Sequence, residues 1–193
     1  MKSDRSLHSR VLTSAPVLTT GRLLLRGPQD SDLDALTDMV TQSDRMKHVG
    51  GKGTSTEAWR AFISGIGHWQ MRDFGFFTIT DRNTGETFGR CGLLRHVGWP
   101  ETELAYHLFD GAEGRGIAYE ACVAVRRWAG ESLGLGPLAS FIAPANARSR
   151  ALAKRLGAVE EGLHVIDGDQ ALVHRHLAHD APLARAQWLE VSQ

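Results

Sequence analysis

The feature that most constrains this sequence is a glycine-rich loop between a predicted strand and a predicted helix. The loop runs from Gly111 to Gly116. The strand before it, residues 101–109, alternates apolar side chains, and the helix after it has apolar residues three and four positions apart. Because the first amides of a helix lack partners and lie at the positive end of its dipole, such a loop can hold a phosphate. A turn that merely needs glycine is the plainer interpretation.

Two common phosphate-binding loops do not fit these residues. A Walker loop requires Gly-Lys followed by Ser or Thr, and the sequence contains no such tripeptide. A dinucleotide-binding fingerprint built on Gly114 and Gly116 requires a third glycine where this chain has Tyr119. The loop also comes late in the chain, after a predicted antiparallel meander. A nucleotide-binding protein is therefore a weaker alternative for this sequence.

The elements around the loop follow a mixed α/β order. Apolar periodicity and turn residues predict one strand, two helices, three strands, a helix, a strand, a helix and two strands. Thr54 and Glu57 have the capping-box spacing that marks the start of the second helix. We expect an α/β (α+β) fold, with a mixed, mostly antiparallel twisted sheet of about seven strands flanked by about four helices.

Composition limits the class of protein. The chain has 193 residues, of which 42% are hydrophobic and 23% charged, as in an ordinary globular domain. Its 22 basic and 22 acidic residues cancel, so we expect no direct nucleic-acid partner. Apolar runs are too short for a membrane span, and two cysteines do not make a disulfide framework. We expect a cytoplasmic protein with a flexible polar tail over 1–16, a single folded domain over 17–180 and a C-terminal extension over 181–193.

Several separated motifs are similar to one known family. They are Leu18-Thr-Thr-Gly-Arg22-Leu-Leu-Leu-Arg26, Glu103-Leu-Ala-Tyr106-His-Leu108, Gly114-Arg-Gly116-Ile-Ala118-Tyr-Glu120-Ala121, Asn146-Ala-Arg-Ser149 and Leu156-Gly157. In this order, over roughly residues 18–178, they resemble the GNAT superfamily of N-acetyltransferases. More narrowly, they resemble its RimJ/RimL-like ribosomal-protein N-terminal acetyltransferase branch. The resemblance implies acetyl-CoA as donor and a primary amine, on a protein N-terminus or a small molecule, as acceptor.

The resemblance also implies which residues contact the donor. Backbone amides of the loop and helix start would hold the pyrophosphate, and a strand edge would pair with the pantetheine arm. The implied residues are Gly114, Arg115, Gly116, Ile117 and Ala118 for the pyrophosphate, and Leu108 and Phe109 for the pantetheine. Asn146 matches a position that contacts the CoA chain, although a helix N-cap is an equally good interpretation. The Arg115 side chain either adds a phosphate contact or is simply solvated.

The sequence departs from the family pattern in three places. Glu113 occupies a loop position where Gln or Arg is usual, and a carboxylate beside a pyrophosphate is unfavourable unless it points away. Ala153 stands where many members carry a catalytic tyrosine. Ala158 follows Gly157 where phenylalanine is usual. Because a tyrosine acid is missing, a non-catalytic acyl-CoA-binding module is the alternative function.

An amine attacks only when it is unprotonated, so a general base is needed. Glu103 is the first candidate, because it lies on the strand beside the expected thioester; a surface carboxylate at the sheet edge is the plain alternative. His107 would serve if a bulge changed the strand phase. His68 is a further candidate, with packing as its alternative role. Ser149 could protonate or orient the leaving sulfur, or be a solvated helix serine.

Three other patterns allow more than one interpretation. His174 and His176 have a spacing that metals can use, but no third ligand is evident, so we expect no metal. The basic helix that contains Arg148 and Arg155 is a solvated face, a contact for the CoA 3′-phosphate or a contact for a nucleic-acid-associated acceptor. Trp99 precedes a proline on a loop, where it would line an acceptor mouth or form a contact in a homodimer.

Overall fold

A computed structural model describes residues 14–166 and 168–182 of the chain. These residues form one eight-stranded sheet and four α-helices. The strands are β1 (Leu18–Thr19), β2 (Leu23–Arg26), β3 (Phe76–Asp81), β4 (Thr87–Leu94), β5 (Glu103–Leu108), β6 (Ala139–Ile142), β7 (Val159–Ile166) and β8 (Asp169–Arg175). The helices are α1 (Leu33–Gln42), α2 (Ser55–Arg72), α3 (Ile117–Leu133) and α4 (Ala147–Arg155).

The predicted order of helices and strands is confirmed, with one strand more than expected. The additional strand is β1, whose two residues pair with Leu24 and Leu25 of β2. Two residues are too few to give an alternating pattern, which is why the sequence predicts only one strand in this region. Most of the predicted tail (1–16) and of the predicted extension (181–193) lies outside the described residues.

Local sequence signals explain where the helices begin. At the start of α2, Thr54 Oγ1 accepts a hydrogen bond from the Glu57 amide at 3.2 Å, and Glu57 Oε2 accepts one from the Thr54 amide at 2.7 Å. This reciprocal arrangement is the predicted capping box. Helix α3 begins at Ile117, after an N-cap glycine, Gly116, whose φ of 76° is in the left-handed region that favours glycine.

The strand order β1-β2-β3-β4-β5-β6-β8-β7 places one parallel pair inside an otherwise antiparallel sheet. That pair is β5 and β6. Helix α3 connects the two strands and packs against one face of the sheet through Ala121, Cys122 and Val125, which are fully buried. Helices α1 and α2 pack together around Leu36 and Phe62. Because α3 is the crossover of a parallel pair, its N-terminus lies at the end of β5.

Among the described residues, no helix is long and apolar enough to cross a membrane.

Candidate active site

A cleft opens where β5 and β6 separate. The two strands pair at only one position, Glu103 with Ala139, and then diverge. The cleft between them has a volume of about 2200 Å³. Its walls come from β5, β6, the start of α3, helix α4 and the segment after α1. The gap therefore lies directly beside the glycine-rich loop.

The exposed edge of β5 carries backbone groups that β4 does not use. The Phe109 amide donates to the Phe88 carbonyl at 2.8 Å, which fixes the phase of the antiparallel ladder between β4 and β5. Because hydrogen bonding alternates along such a pair, the N–H and C=O groups of Leu104, Tyr106 and Leu108 point away from β4. The Leu104 carbonyl is met by the Ser140 hydroxyl at 2.6 Å. The edge beyond it, at Tyr106 and Leu108, is suited to pairing with an extended ligand.

Unlike Leu108, Phe109 has both of its backbone groups hydrogen-bonded within the protein. Its amide is bonded to Phe88, and its carbonyl accepts a hydrogen bond from the Ala112 amide at 3.2 Å. Its side chain borders a separate small cavity that also contacts Pro28. Of the two residues predicted to pair with a pantetheine arm, Leu108 has backbone groups that point away from β4 towards the cleft, whereas those of Phe109 are bonded to Phe88 and Ala112.

The loop at the start of α3 presents a row of unpaired amides. Within the part of the chain that the structure describes, the amides of residues 114–118 donate no hydrogen bond to the protein. Gly114 and Gly116 have φ values of 73° and 76°, which curve the loop in a way that other residues rarely adopt. Unpaired amides at the positive end of a 17-residue helix have the geometry and the partial charge that favour an anion.

An ion pair that the sequence analysis did not identify holds this loop in place. Arg22 Nε donates to Glu120 Oε2 at 2.8 Å, and Arg22 Nη1 donates to the Arg115 carbonyl at 3.0 Å. Glu120 is 4% exposed and also accepts a hydrogen bond from the Thr20 hydroxyl at 2.5 Å. A carboxylate on the buried face of a helix needs a cationic partner, and that requirement was a signal for the pair.

A second arginine contacts Glu113, the acid in an unfavourable position beside the loop. Arg45, which follows α1, pairs with Glu113 and with Asp110, and its Nε lies 2.6 Å from Asp110 Oδ1. Arg45 therefore offsets part of the negative charge of Glu113 beside the row of amides, since it is shared with Asp110. The pair also joins the segment after α1 to the loop, and both line the cleft.

Glu103 lies where β5 and β6 begin to separate, and it lines the cleft. Its side chain is 9% exposed, and Oε1 accepts a hydrogen bond from the Phe141 amide at 3.0 Å. Burial raises the pKa of this carboxyl to about 8, although the bond from Phe141 acts in the opposite direction. A carboxyl with this pKa can exchange a proton with an amine near neutral pH.

The two candidate histidines are poorly suited to act as bases. No bulge interrupts β5, so His107 stays on the face opposite Tyr106. Burial and the neighbouring Arg90 lower the His107 pKa to about 3, which makes the ring a weak base. Both His68 nitrogens are occupied, with Nδ1 2.7 Å from the Phe74 carbonyl and Nε2 3.0 Å from the Arg95 amide. The role of His68 is to connect α2 with the ends of β3 and β4.

Helix α4 and its N-cap bring Asn146 and Ser149 to the other wall of the cleft. Asn146 is its N-cap, and its Oδ1 accepts a hydrogen bond from the Ser149 amide at 3.2 Å. The Tyr106 hydroxyl donates to the Ser149 carbonyl at 3.1 Å. Ala153, one turn further along, is fully buried. Tyr106 is thus a tyrosine in the cleft that the sequence analysis did not consider as an acid.

The other candidates from the sequence are Arg115, the basic residues of α4 and Trp99, and most of them lie around the cleft. The Arg115 guanidinium lies over the Phe88 ring at 4.6 Å. Three residues of the basic helix line the cleft, whereas Arg150 pairs with Glu160 at 3.3 Å. Trp99 lines the cleft and packs edge-on against Phe141. The three cleft-lining basic residues are Arg148, Lys154 and Arg155.

His174 and His176 contact different partners. His176 Nε2 lies 2.9 Å from the Ser140 hydroxyl, and His174 Nε2 lies 3.5 Å from Glu160. Across the described segments, no group of three or more His, Cys, Asp or Glu side chains is arranged to hold a metal ion.

Comparison with known proteins connects this geometry to one family. Residues 22–159 match the family model described as an acetyltransferase (GNAT) domain. An acetyltransferase from Agrobacterium tumefaciens is 37% identical, with 85% of this chain and 95% of that chain covered and a TM-score of 0.78. The ribosomal-protein-S5-alanine acetyltransferase from Vibrio fischeri shares the fold at 17% identity, with coverage of 86% and 98% and a TM-score of 0.66. A RimL ribosomal L7/L12 alpha-N-protein acetyltransferase in complex with coenzyme A is similar at 15% identity, with coverage of 86% and 100% and a TM-score of 0.65.

Proposed function

The chain belongs to the GNAT acetyltransferase family, and from that premise we propose that it transfers an acetyl group from acetyl-CoA to a primary amine on a protein N-terminus or a small molecule. The observation that carries the proposal is the separation of β5 from β6 at Glu103, next to the unpaired amides of residues 114–118. This arrangement offers a strand edge with which an extended chain can pair and a row of amides that can bind a diphosphate. The buried carboxyl of Glu103 lies where the two strands separate.

The residues present fit acetyl-CoA. The amides of residues 114–118 would hold the pyrophosphate, and the free backbone groups of Tyr106 and Leu108 would pair with the pantetheine arm. The Asn146 side-chain NH2 group remains available, because only its oxygen is used in capping α4. The bound thioester supplies an acetyl group activated for attack by an amine.

Glu103 acts as the base in this proposal. Its pKa of about 8 is close to that of an α-amino group, roughly 7.7–8.0, so a proton passes between them with little free-energy change. The single proton of the Tyr106 hydroxyl is donated to the Ser149 carbonyl in this structure, and by rotating away from that carbonyl the hydroxyl can donate a hydrogen bond towards the departing sulfur. Burial raises the pKa of Tyr106 above its ordinary value, so the hydroxyl keeps its proton. The Leu108 amide is the candidate donor to the developing oxyanion.

The test combines a binding measurement with a turnover measurement. Acetyl-CoA is titrated into the wild type, Gly116→Asn and Gly116→Asp by calorimetry. The two variants carry the same backbone strain at φ 76°, but only aspartate places a negative charge on the row of amides. We expect Gly116→Asp to bind roughly tenfold or more weakly than Gly116→Asn. Equal affinities for the two variants would remove the anion-binding argument.

Turnover is followed by release of free CoA thiol with a panel of primary amines. Thiol release that depends on an amine, with acetylated amine as product, supports the transferase. Tight binding of acetyl-CoA without release for any amine would instead favour the non-catalytic acyl-CoA-binding module.

A further inference from the structure

A regular ladder between β5 and β6 would continue beyond the one pair of residues that joins them. The Ala139 amide of β6 donates to the Thr102 carbonyl at 3.5 Å. Hydrogen bonds are evenly spaced along a parallel pair of strands. The next amide of β6 that points to β5 therefore belongs to Phe141, and the next carbonyl of β5 that points to β6 belongs to Leu104. In a regular sheet these two groups would bond to each other.

Two side chains occupy these backbone groups instead. The Phe141 amide donates to Glu103 Oε1 at 3.0 Å, and the Leu104 carbonyl accepts a hydrogen bond from the Ser140 hydroxyl at 2.6 Å. Leu104 and Ser140 are at most 1% exposed, so the carbonyl needs a donor from within the protein. The two side-chain bonds are therefore coupled. While Ser140 supplies that donor, the Phe141 amide is left to the carboxyl of Glu103.

His176 fixes the direction in which the Ser140 hydroxyl points. The His176 amide donates to the Leu138 carbonyl of the β6 segment at 2.8 Å, and its ring Nε2 lies 2.9 Å from the Ser140 oxygen. The hydroxyl has a single proton, and the Leu104 carbonyl accepts it. Nε2 must therefore donate to the Ser140 oxygen, so His176 carries its proton on Nε2.

The surroundings of His176 keep the ring neutral and favour this tautomer. The residue is 1% exposed, and burial lowers its pKa to about 4. The charges of Arg126, His174 and Arg175 act in the same direction. Within the part of the chain that the structure describes, the buried Nδ1 has no hydrogen-bond partner, so a proton on that nitrogen would lack an acceptor.

We propose that Ser140 and His176 are positioning residues for the base Glu103. Ser140 keeps the Leu104 carbonyl occupied, so the Phe141 amide stays on the carboxyl and holds it at the opening of the cleft. This inference rests on the proposed function, because Glu103 is the base there. Burial raises the pKa of Glu103, and the bond from Phe141 opposes the rise. Loss of that bond raises the pKa further and leaves less ionised base at neutral pH.

A matched pair of variants separates the hydroxyl from the shape of the side chain. Ser140→Thr keeps the hydroxyl, whereas Ser140→Val has the same branched shape without it. In Ser140→Val the buried Leu104 carbonyl loses its donor, and the Phe141 amide is the group that a regular ladder would supply. We expect the amide to leave Glu103 and to bond to this carbonyl.

The exchange of partners is measured by NMR, without substrate. In the wild type and in Ser140→Thr, the Phe141 amide resonance should titrate with a midpoint of about 8, because the neighbouring carboxyl ionises there. This titration should be largely lost in Ser140→Val. Glu103→Gln, which carries no titrating proton, is the control in which it disappears. The ¹⁵N spectrum of the His176 ring should show the proton on Nε2 throughout the titration.

The kinetic counterpart is the pH dependence of kcat/KM, with an acceptor whose amine pKa lies below about 6. The midpoint for Ser140→Val should lie roughly 0.5 to 1 pH unit above that for Ser140→Thr, so its rate at pH 7 is roughly 3- to 10-fold lower. His176→Met, which lacks a donor, should shift the midpoint upwards relative to His176→Gln, whose amide can replace the Nε2 proton. Calorimetry should show the same acetyl-CoA affinity within each pair, because the edge at Tyr106 and Leu108 is untouched.

The results distinguish failure of this inference from failure of the proposed function. Equal amide titrations in Ser140→Val and Ser140→Thr, no titration in the wild type, or a His176 proton on Nδ1 would overturn the positioning role. If Ser140→Val does not fold, equal amide titrations in His176→Met and His176→Gln would overturn it. Thiol release with the same pH profile within each pair would overturn this inference and leave the transferase in place. The expected titrations without thiol release from any amine would support the hold on the carboxyl and remove the transferase.

Discussion

Replacement of Glu103 by glutamine tests the raised pKa and the catalytic role separately. Glutamine keeps an oxygen that can accept the hydrogen bond from the Phe141 amide, but it carries no titrating proton. Burial raises the pKa of Glu103 from 4.5 to about 8. The folded state therefore binds this proton more tightly than the unfolded state does. The stability contribution of the proton is fully present below pH 4.5 and is lost as the pH rises towards 8.

The size of the effect on stability follows from the two pKa values. Between about pH 6 and pH 8 the unfolded carboxyl is ionised, while the folded one begins to ionise only near the end of the range. Each pH unit corresponds to roughly 1.4 kcal/mol per proton, so the free energy of unfolding of the wild type falls by roughly 2 kcal/mol relative to Glu103→Gln. Urea denaturation of both proteins over this range measures the difference. Parallel pH dependences would refute the raised pKa.

The effect on catalysis is measured with an acceptor whose amine pKa lies below about 6, so that only the enzyme titrates. At pH 7 about one tenth of a carboxyl with a pKa of about 8 is ionised, and the wild-type rate should rise about tenfold to a plateau above about pH 9. Glu103→Gln should be slower and should lack this rise. A rise that persists unchanged in the variant would eliminate Glu103 as the base, even if the stability measurement confirmed its pKa.

Two further predictions concern residues that the structure brought to attention. Arg22→Gln removes the bonds to Glu120 and to the Arg115 carbonyl, so it should weaken acetyl-CoA binding, measured by calorimetry, roughly 3- to 10-fold. The control Arg127→Gln, on the exposed side of α3, should leave the affinity unchanged. Equal affinities for the two variants would contradict a role for Arg22 in positioning the loop. Tyr106→Phe should lower kcat roughly 3- to 10-fold while leaving the affinity for acetyl-CoA unchanged, and an unchanged kcat would reduce Tyr106 to a packing role.

Much of the fold was predictable because its signals are local. Apolar periodicity placed the helices, and the Thr54–Glu57 spacing placed the start of α2 within the capping box that the structure contains. The separation of β5 from β6 was an expectation from family resemblance only. Nothing in the sequence of either strand indicates that their pairing stops after Glu103, because divergence depends on how α3 and α4 pack against the sheet.

The charged network was harder to predict because its members are distant in sequence. Glu120 and Arg22 are 98 positions apart, and Arg45 and Glu113 are 68 apart. Sequence analysis identified Glu113 as unusual, because it lies beside a diphosphate loop, but it did not single out Glu120 and offered no way to choose a partner for either acid. Pairing follows from the strand order, which places β1 and β2 close to α3 and the segment after α1 close to the loop.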